Sequence, residues 1–217
     1  MSGLQQTNEI TKQLKCHSIA PQIDTALVVE GGGQRGIFTA GVLDTWLAND
    51  FNPFSLLIGT SAGAQNLSSY MTRQFGHAKG SILELSQHPE FFNMSRSLRG
   101  GHIVDLDWYF NQVSDPDYQL NLNCACSQLQ QRKLLFSATK VDGLASQFFE
   151  PTADNWLTLL KASSALPFLY KNGVDIEGEN YVDGGVAQPI PIQEAYQRGA
   201  KTIVVIRTVP SEYNAQS

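Results

Sequence analysis

Apolar residues fall into short continuous runs of about five, separated by longer stretches in which they recur every three or four positions. This is the alternation of buried strands with helices packed on a sheet. Ala26-Leu-Val-Val-Glu30 is the first such run, and it leads directly into Gly31-Gly-Gly-Gln-Arg-Gly36. A helix is predicted from Ile37 to about Asn49, with Ala40, Leu43 and Leu47 on one stripe and Phe38, Val42 and Trp46 on the next. So broad an apolar face suits a helix lying on a sheet. Asn49 to Pro53 forms a loop into a second run, Ser55-Leu-Leu-Ile-Gly59. A second helix follows at once, with Ala64, Leu67 and Met71 at i, i+3 and i+7. An opening of β–α–β–α predicts parallel strands joined by right-handed crossovers.

Residues 76–130 carry a weaker pattern, with short helices near Ser81–Gln87 and Asp105–Val113 and a polar stretch over Asn93–Gly101. Lys133–Val141 then reads as a strand, Asp142–Ser146 as a turn and Gln147–Glu150 as a return strand. Thr152 or Asp154 caps a helix running to about Ser164, with Trp156, Leu159 and Leu160 inward, and Pro167 ends it. Tyr181 and Val182 approach Asp183-Gly-Gly185, a helix over Ile192–Arg198 stops at Gly199, and Thr202–Arg207 is a last buried strand. The expected organisation is a leader over 1–22, one domain over 23–210 and a tail over 211–217.

Composition narrows the class. The 217 residues are 42% hydrophobic and 16% charged with a net charge of −5, enough for one well-packed domain. The acidic balance argues against nucleic acid as a partner but leaves shallow contact with a lipid surface open. No apolar segment suits a signal peptide or a membrane-spanning helix, so a cytoplasmic protein is expected, with peripheral membrane contact open. Cys16, Cys124 and Cys126 are odd in number and lack metal-ligand spacing. They are expected to be free thiols in a reducing compartment, with no metal and no cofactor.

The chemistry gathers at Gly59-Thr-Ser61-Ala-Gly63, a Gly-x-Ser-x-Gly between a strand and a helix. That context suits a nucleophile elbow, in which a sharp turn lifts the serine hydroxyl above the sheet. Glycines on both sides remove the Cβ atoms that would block it, and the helix N-terminus favours negative charge developing beside the serine. The plainer alternative is that Ser61 only caps the helix. Gly31, Gly32 and Gly33 can turn several amides into one space, which opposite a nucleophile makes an oxyanion hole. Gly31, Gly33 and Gly36 also fit the dinucleotide fingerprint. That fingerprint expects a carboxylate at the end of the second strand, where this chain has Gly59–Gly63. Asp183 before two glycines is either a general base or a turn aspartate. His17 lies in the leader, and His77, His88 and His102 lie in the weakly patterned region, so none is expected to complete a triad.

Four ordered blocks resemble the patatin-like phospholipases, serine acyl hydrolases with a Ser–Asp dyad: Gly31–Gly36, Gly59–Gly63, Ala162-Ser-Ser-Ala-Leu-Pro167 and Asp183–Gly185. The resemblance covers about residues 26–207, and because family members often continue with further helices it implies that this chain is part of a longer one. It implies an α/β three-layer α/β/α sandwich around a mostly parallel sheet. It implies Ser61 as nucleophile and Asp183 as base, with the amides of Gly31, Gly32 and Gly33 as oxyanion hole, organised by Arg35. Gly59, Gly63, Gly184 and Gly185 shape the two loops. The implied activity is hydrolysis of fatty acyl esters, commonly phospholipids, without metal. Two departures bear on the acyl pocket: Phe168-Leu-Tyr-Lys171 stands where the family has an aromatic–Pro–Pro turn, and Gln188 stands where it has Asn before proline. The other readings are a non-catalytic lipid-binding module of the same fold and a nucleotide-binding protein.

Overall fold

The apolar runs assemble into one seven-stranded sheet in a computed structural model that describes residues 11–97 and 99–210. The expected tail over 211–217 and the first ten residues of the expected leader lie outside the described residues. In chain order the elements are β1 (Lys12–Gln13), β2 (Thr25–Val29), a 3-10 turn (Gly33–Arg35), α1 (Gly36–Ala48), β3 (Leu56–Thr60) and α2 (Ala62–Met71). Then come β4 (Gln74–Phe75), α3 (His77–Gly80) continuing as a π-helical turn (Ser81–Leu85), α4 (Met94–Ser97), α5 (Leu106–Val113) and α6 (Leu122–Leu129). The remainder is β5 (Lys133–Lys140), β6 (Ser146–Phe149), α7 (Trp156–Ser164), β7 (Val174–Ile176), β8 (Glu179–Asp183), a 3-10 turn (Gly184–Val186), α8 (Ile192–Gln197) and β9 (Thr202–Ile206).

Strands β9, β2, β3 and β5 lie side by side and parallel. The antiparallel remainder is built on β5. There β3 pairs Leu56–Thr60 with Lys133–Ser137, and β8 pairs Tyr181–Asp183 with Lys140–Ala138. Strand β6 overlaps both registers, pairing Phe136–Thr139 with Phe149–Ser146, and so occupies the opposite edge of β5. Therefore β3 and β8 share one edge of β5 and meet end to end where Ser137 gives way to Ala138. The last residue of β8 is Asp183, and the residue after β3 is Ser61.

The central strands are apolar throughout because both faces are covered. One face carries α1, α2, α5 and α7, with Leu27, Leu57, Leu134, Phe136, Tyr70 and Trp156 in a single core. The other is closed mainly by α8, whose Ala195 packs with Ala26, Val28, Leu56, Ile58 and Leu135. The result is the expected three-layer α/β/α sandwich, with one thin layer.

Several local readings change. On α1, Leu43 and Leu47 are buried, but Phe38 of the second stripe faces solvent. Helix α6 and strand β7 had no clear sequence signal, since α6 is held by tertiary contacts of Cys124, Ala125 and Gln128. Residues 11–22 of the expected leader form a strap across the domain. Strand β1 pairs with β4, Arg132 donates to the Ile19 carbonyl, and Gln22 N donates to the Pro53 carbonyl at 2.8 Å. The strap also corrects the expectation of three free thiols: Cys16 is disulfide-bonded to Cys124, 108 residues away with Cα atoms 5.7 Å apart, and only Cys126 is free. The pairing of β1 with β4 carries Cys16 over α6, and no sequence spacing encodes that approach. Among the described residues, no helix is long and apolar enough to cross a membrane.

Candidate active site

Strand β3 ends at Thr60 and α2 begins at Ala62, so Ser61 must turn the chain in a single residue. It does so at φ 54° and ψ −125°, a left-handed backbone that non-glycine residues rarely adopt. Its hydroxyl makes no capping bond to α2, which sets aside the reading of Ser61 as a plain helix cap. The flanking glycines are required by contact. A Cβ on Gly59 would stand 2.6 Å from the Ala64 Cα, and one on Gly63 would stand 2.8 Å from the Glu30 carbonyl oxygen. Helix α2 can therefore press against the ends of β2 and β3 only because both positions lack a side chain.

Two hydroxyl groups brace this turn. The Ser61 amide donates to Ser163 Oγ at 2.9 Å, and Ser137 Oγ donates to Thr60 Oγ1 at 2.8 Å. Both Ser163 and Ser137 are buried. Ser163 belongs to the block Ala162–Pro167, to which the sequence assigned no role. Ser137 and Thr60 sit at the junction of β3 and β8 and were not singled out at all.

Asp183 is positioned by the same junction. Its amide donates to the Ala165 carbonyl at 3.0 Å, and its carbonyl accepts from Thr139 Oγ1 at 2.9 Å. Its side chain is 2% exposed. Oδ1 accepts from the Gly185 amide at 2.7 Å, so Asp183 is indeed a turn aspartate through one oxygen. Oδ2 is buried and has no hydrogen-bond partner among the described residues. Burial pushes the carboxyl up to about 6, against the opposing pull of the nearby Ser61 hydroxyl and the Gly185 amide. A buried acceptor without a formed bond is costly, and the Ser61 hydroxyl is the side-chain group that pulls this carboxyl down. Gly184 lies against Ser137 so closely that a Cβ would overlap that residue, which explains a glycine immediately after the aspartate.

The glycine loop lies against the elbow. A Cβ on Gly31 would meet the Ser61 Cβ at 2.9 Å, and Gly32 and Gly33 have φ of 147° and 55°. The amides of Gly31 and Gly32 have no hydrogen-bond acceptor among the described residues. Thr208 fixes the loop from behind, donating its Oγ1 to the Gly31 carbonyl at 2.6 Å while its amide donates to Glu30 Oε2 at 2.6 Å. Arg35 is exposed, and one of its terminal nitrogens lies 3.3 Å from where a Gly32 Cβ would stand. The loop is thus packed against a serine turn.

In front of Ser61 lies a cavity of about 400 Å³ that also touches Gly33. Its walls are mainly apolar: Ile82, Phe91, Phe92, Val104, Leu166 and Leu169. Tyr109, Gln65 and Ser164 form its polar edge, with Tyr109 donating to Gln65 Oε1 at 2.6 Å and Gln65 Nε2 donating to Ser164 Oγ at 2.9 Å. Of the departing Phe168–Lys171 segment, Leu169 and Tyr170 line the cavity, beside Leu166 of the preceding block, while Phe168 and Lys171 do not; Gln188 is not among the lining residues. None of the four histidines lines it. His77 is buried between Ser69 and the Tyr118 carbonyl, His88 stacks on Trp108, His102 stacks on Tyr170, and His17 approaches Asp50.

A serine on a strained turn, a buried carboxyl near it and an apolar cavity in front thus lie together at one end of the sheet. Residues 27–196 match the family described as patatin-like phospholipase, and the chain belongs to that family. It is 48% identical over 188 residues to the uncharacterized protein YjjU of Escherichia coli (strain K12), a stretch that covers 86% of this chain and 52% of that protein. Among solved structures it is similar to VipD from Legionella pneumophila, with 15% identity and a TM-score of 0.49 over 92% of this chain and 55% of that one. The chain thus spans about half the length of the relatives it matches.

Proposed function

We propose that the protein is a serine acyl hydrolase that cleaves fatty acyl esters, phospholipids among them, through a Ser61–Asp183 dyad. The observation that carries this reading is the buried, unpartnered Asp183 Oδ2 beside a Ser61 held in the left-handed region at the floor of an apolar cavity. Asp183 takes the Ser61 proton as Oγ attacks the ester carbonyl carbon. The carbonyl oxygen becomes an oxyanion that accepts hydrogen bonds from the amides of Gly31, Gly32 and Gly33, with Arg35 adding positive charge beside them. Collapse breaks the ester bond, and Asp183 returns the proton to the departing alcohol. Water then gives a proton to Asp183 and attacks the acyl-enzyme. The fatty acid leaves and Ser61 regains its proton.

A carboxylate at the ordinary value is a poor base for a hydroxyl. Raised to about 6, it is stronger and still about nine-tenths ionised at pH 7. Apolar cavity walls suit an acyl chain and exclude competing water. The test is hydrolysis of p-nitrophenyl esters of increasing chain length by the protein, Ser61→Ala and Asp183→Ala. Loss of at least about a thousandfold in both variants is expected. Equal inertness of all three would leave the fold as a lipid-binding module.

A further inference from the structure

Three segments join at the mouth of the cavity. Phe92 bridges Val104, Asn93 N donates to the Ile103 carbonyl at 2.8 Å, and Val104 N donates to the Leu169 carbonyl at 3.1 Å. The chain from Phe91 to Met94, the turn ending at Val104 and the segment from Leu166 to Lys171 therefore form one ledge. Phe91 and Val104 pack against the core, but three of the ledge's apolar side chains face away from it: Phe168 is 88% exposed, Met94 68% and Phe92 49%. Phe168 also has φ 69°, so a bulky aromatic residue is held in a strained backbone and given no burial in return. Phe92 and Leu166 belong both to this ledge and to the cavity wall, which makes the ledge continuous with the route to Ser61.

Charge on the ledge runs against that of the molecule. Over residues 90–107 and 161–171 the cations are Arg96, Arg99, Lys161 and Lys171, and the acids are Glu90, Asp105 and Asp107, in a chain whose net charge is −5. Arg96 neutralises Asp105 and Lys161 neutralises Asp107. Arg99 is exposed on the turn, and Lys171 places its ammonium on the Gly100 carbonyl at 3.0 Å, beside His102. Exposed aromatic and thioether groups flanked by lysine and arginine match the layered chemistry of a bilayer surface, acyl chains beneath phosphates.

We propose that this ledge docks the protein on an anionic phospholipid bilayer. Phe168 and Met94 enter the acyl region, Arg99 and Lys171 sit at the phosphates, and the cavity mouth is held open to a lipid drawn from the same surface. The inference rests on the acyl hydrolase reading for its purpose, but not for its test.

The test uses Ser61→Ala, so that vesicles are not consumed, in co-sedimentation with vesicles of phosphatidylglycerol or of phosphatidylcholine. Sedimentation with phosphatidylglycerol is expected, weakening with added salt. Phe168→Asn with Met94→Ser should lower it about tenfold, as should Arg99→Glu with Lys171→Glu. Asparagine is chosen because it accepts the left-handed backbone. With Ser61 intact, both double variants should hydrolyse a soluble short-chain ester at the parental rate. Absence of sedimentation, equal binding to both lipids, or binding untouched by either double variant would overturn the docking surface. So would a dimer in solution that Phe168→Asn dissociates, since the ledge would then belong to a second copy. If docking holds while soluble esters are never cleaved, the hydrolase reading fails and the docking surface stands.

Discussion

The backbone amide of Ser61 donates to Ser163 Oγ at 2.9 Å, joining the elbow to the end of α7 across 102 residues. The bond holds the strained residue in place and occupies its own amide, whereas the amides of Gly31 and Gly32 have no acceptor among the described residues. Ser163→Ala strands a buried donor at a cost of about 1–3 kcal/mol in stability. Steady-state kinetics should show kcat falling about 10- to 100-fold with KM little changed, because the substrate cavity is intact. An unchanged kcat would show that the elbow holds itself.

If Asp183 is the base proposed above, activity and stability should oppose each other. Its carboxyl is raised from 3.8 to about 6, chiefly by burial. Between these values the unfolded chain has released the proton while the folded chain retains it, so stability falls as pH rises through this window. Above pH 6 the full cost, about 3 kcal/mol, is present. Denaturant unfolding should find Asp183→Asn more stable than the parent by roughly 2–3 kcal/mol at pH 8, with the gap closing below pH 4. The parental kcat/KM should rise with pH to a plateau, with an apparent pKa of about 6.

Two glycines of the site should respond differently to alanine. At Gly63 a Cβ would collide with the backbone of Val29 and Glu30, so Gly63→Ala should cost more than about 4 kcal/mol or prevent folding. At Gly33 a Cβ meets nothing within 4 Å, and the change is limited to backbone strain at φ 55°. Gly33→Ala should fold, lose about 1–2 kcal/mol and keep its activity within about tenfold. Thermal melts and the ester assay distinguish the two.

Ile82 lines both the cavity at Ser61 and a smaller one beneath α2. Ile82→Trp should shorten the space for an acyl chain. Each lost methylene contact is worth about 0.8 kcal/mol, so the ratio of decanoate to butyrate hydrolysis should fall about 10- to 100-fold. Retained butyrate hydrolysis shows that the variant folds. An unchanged ratio would place the acyl chain elsewhere.

The Cys16–Cys124 bridge closes a loop of 108 residues and ties the strap to α6. Its reduction should lower stability by about 2–4 kcal/mol. Mass spectrometry of thiol-trapped protein should find Cys126 alone alkylated. Three alkylated cysteines in protein taken directly from cells would restore the reducing compartment that the sequence suggests.

The strand runs, the glycine-flanked serine and the aspartate before two glycines were legible because each is local. A buried strand needs a continuous apolar run, and an elbow needs glycines where Cβ atoms would meet backbone. The strap, α6, Ser163 and Ser137 were not legible. Serine is common and α6 is short, and their roles come from partners about a hundred residues away or on neighbouring strands. Phe38 shows the reverse error, an apolar position on a helical stripe that the packing leaves in solvent.

By itself the sequence determined the βαβα opening and the α/β class, and it marked Ser61 and Asp183 as candidates, since backbone conformation at those positions depends on near neighbours. Only the tertiary structure decided that they lie side by side. Strands β3 and β8 share an edge of β5 and meet at Ser137 and Ala138, which brings Ser61 and Asp183 together across 122 residues of chain. Register along a shared strand is set by the hydrogen bonds and packing of the whole sheet, and no local pattern carries it.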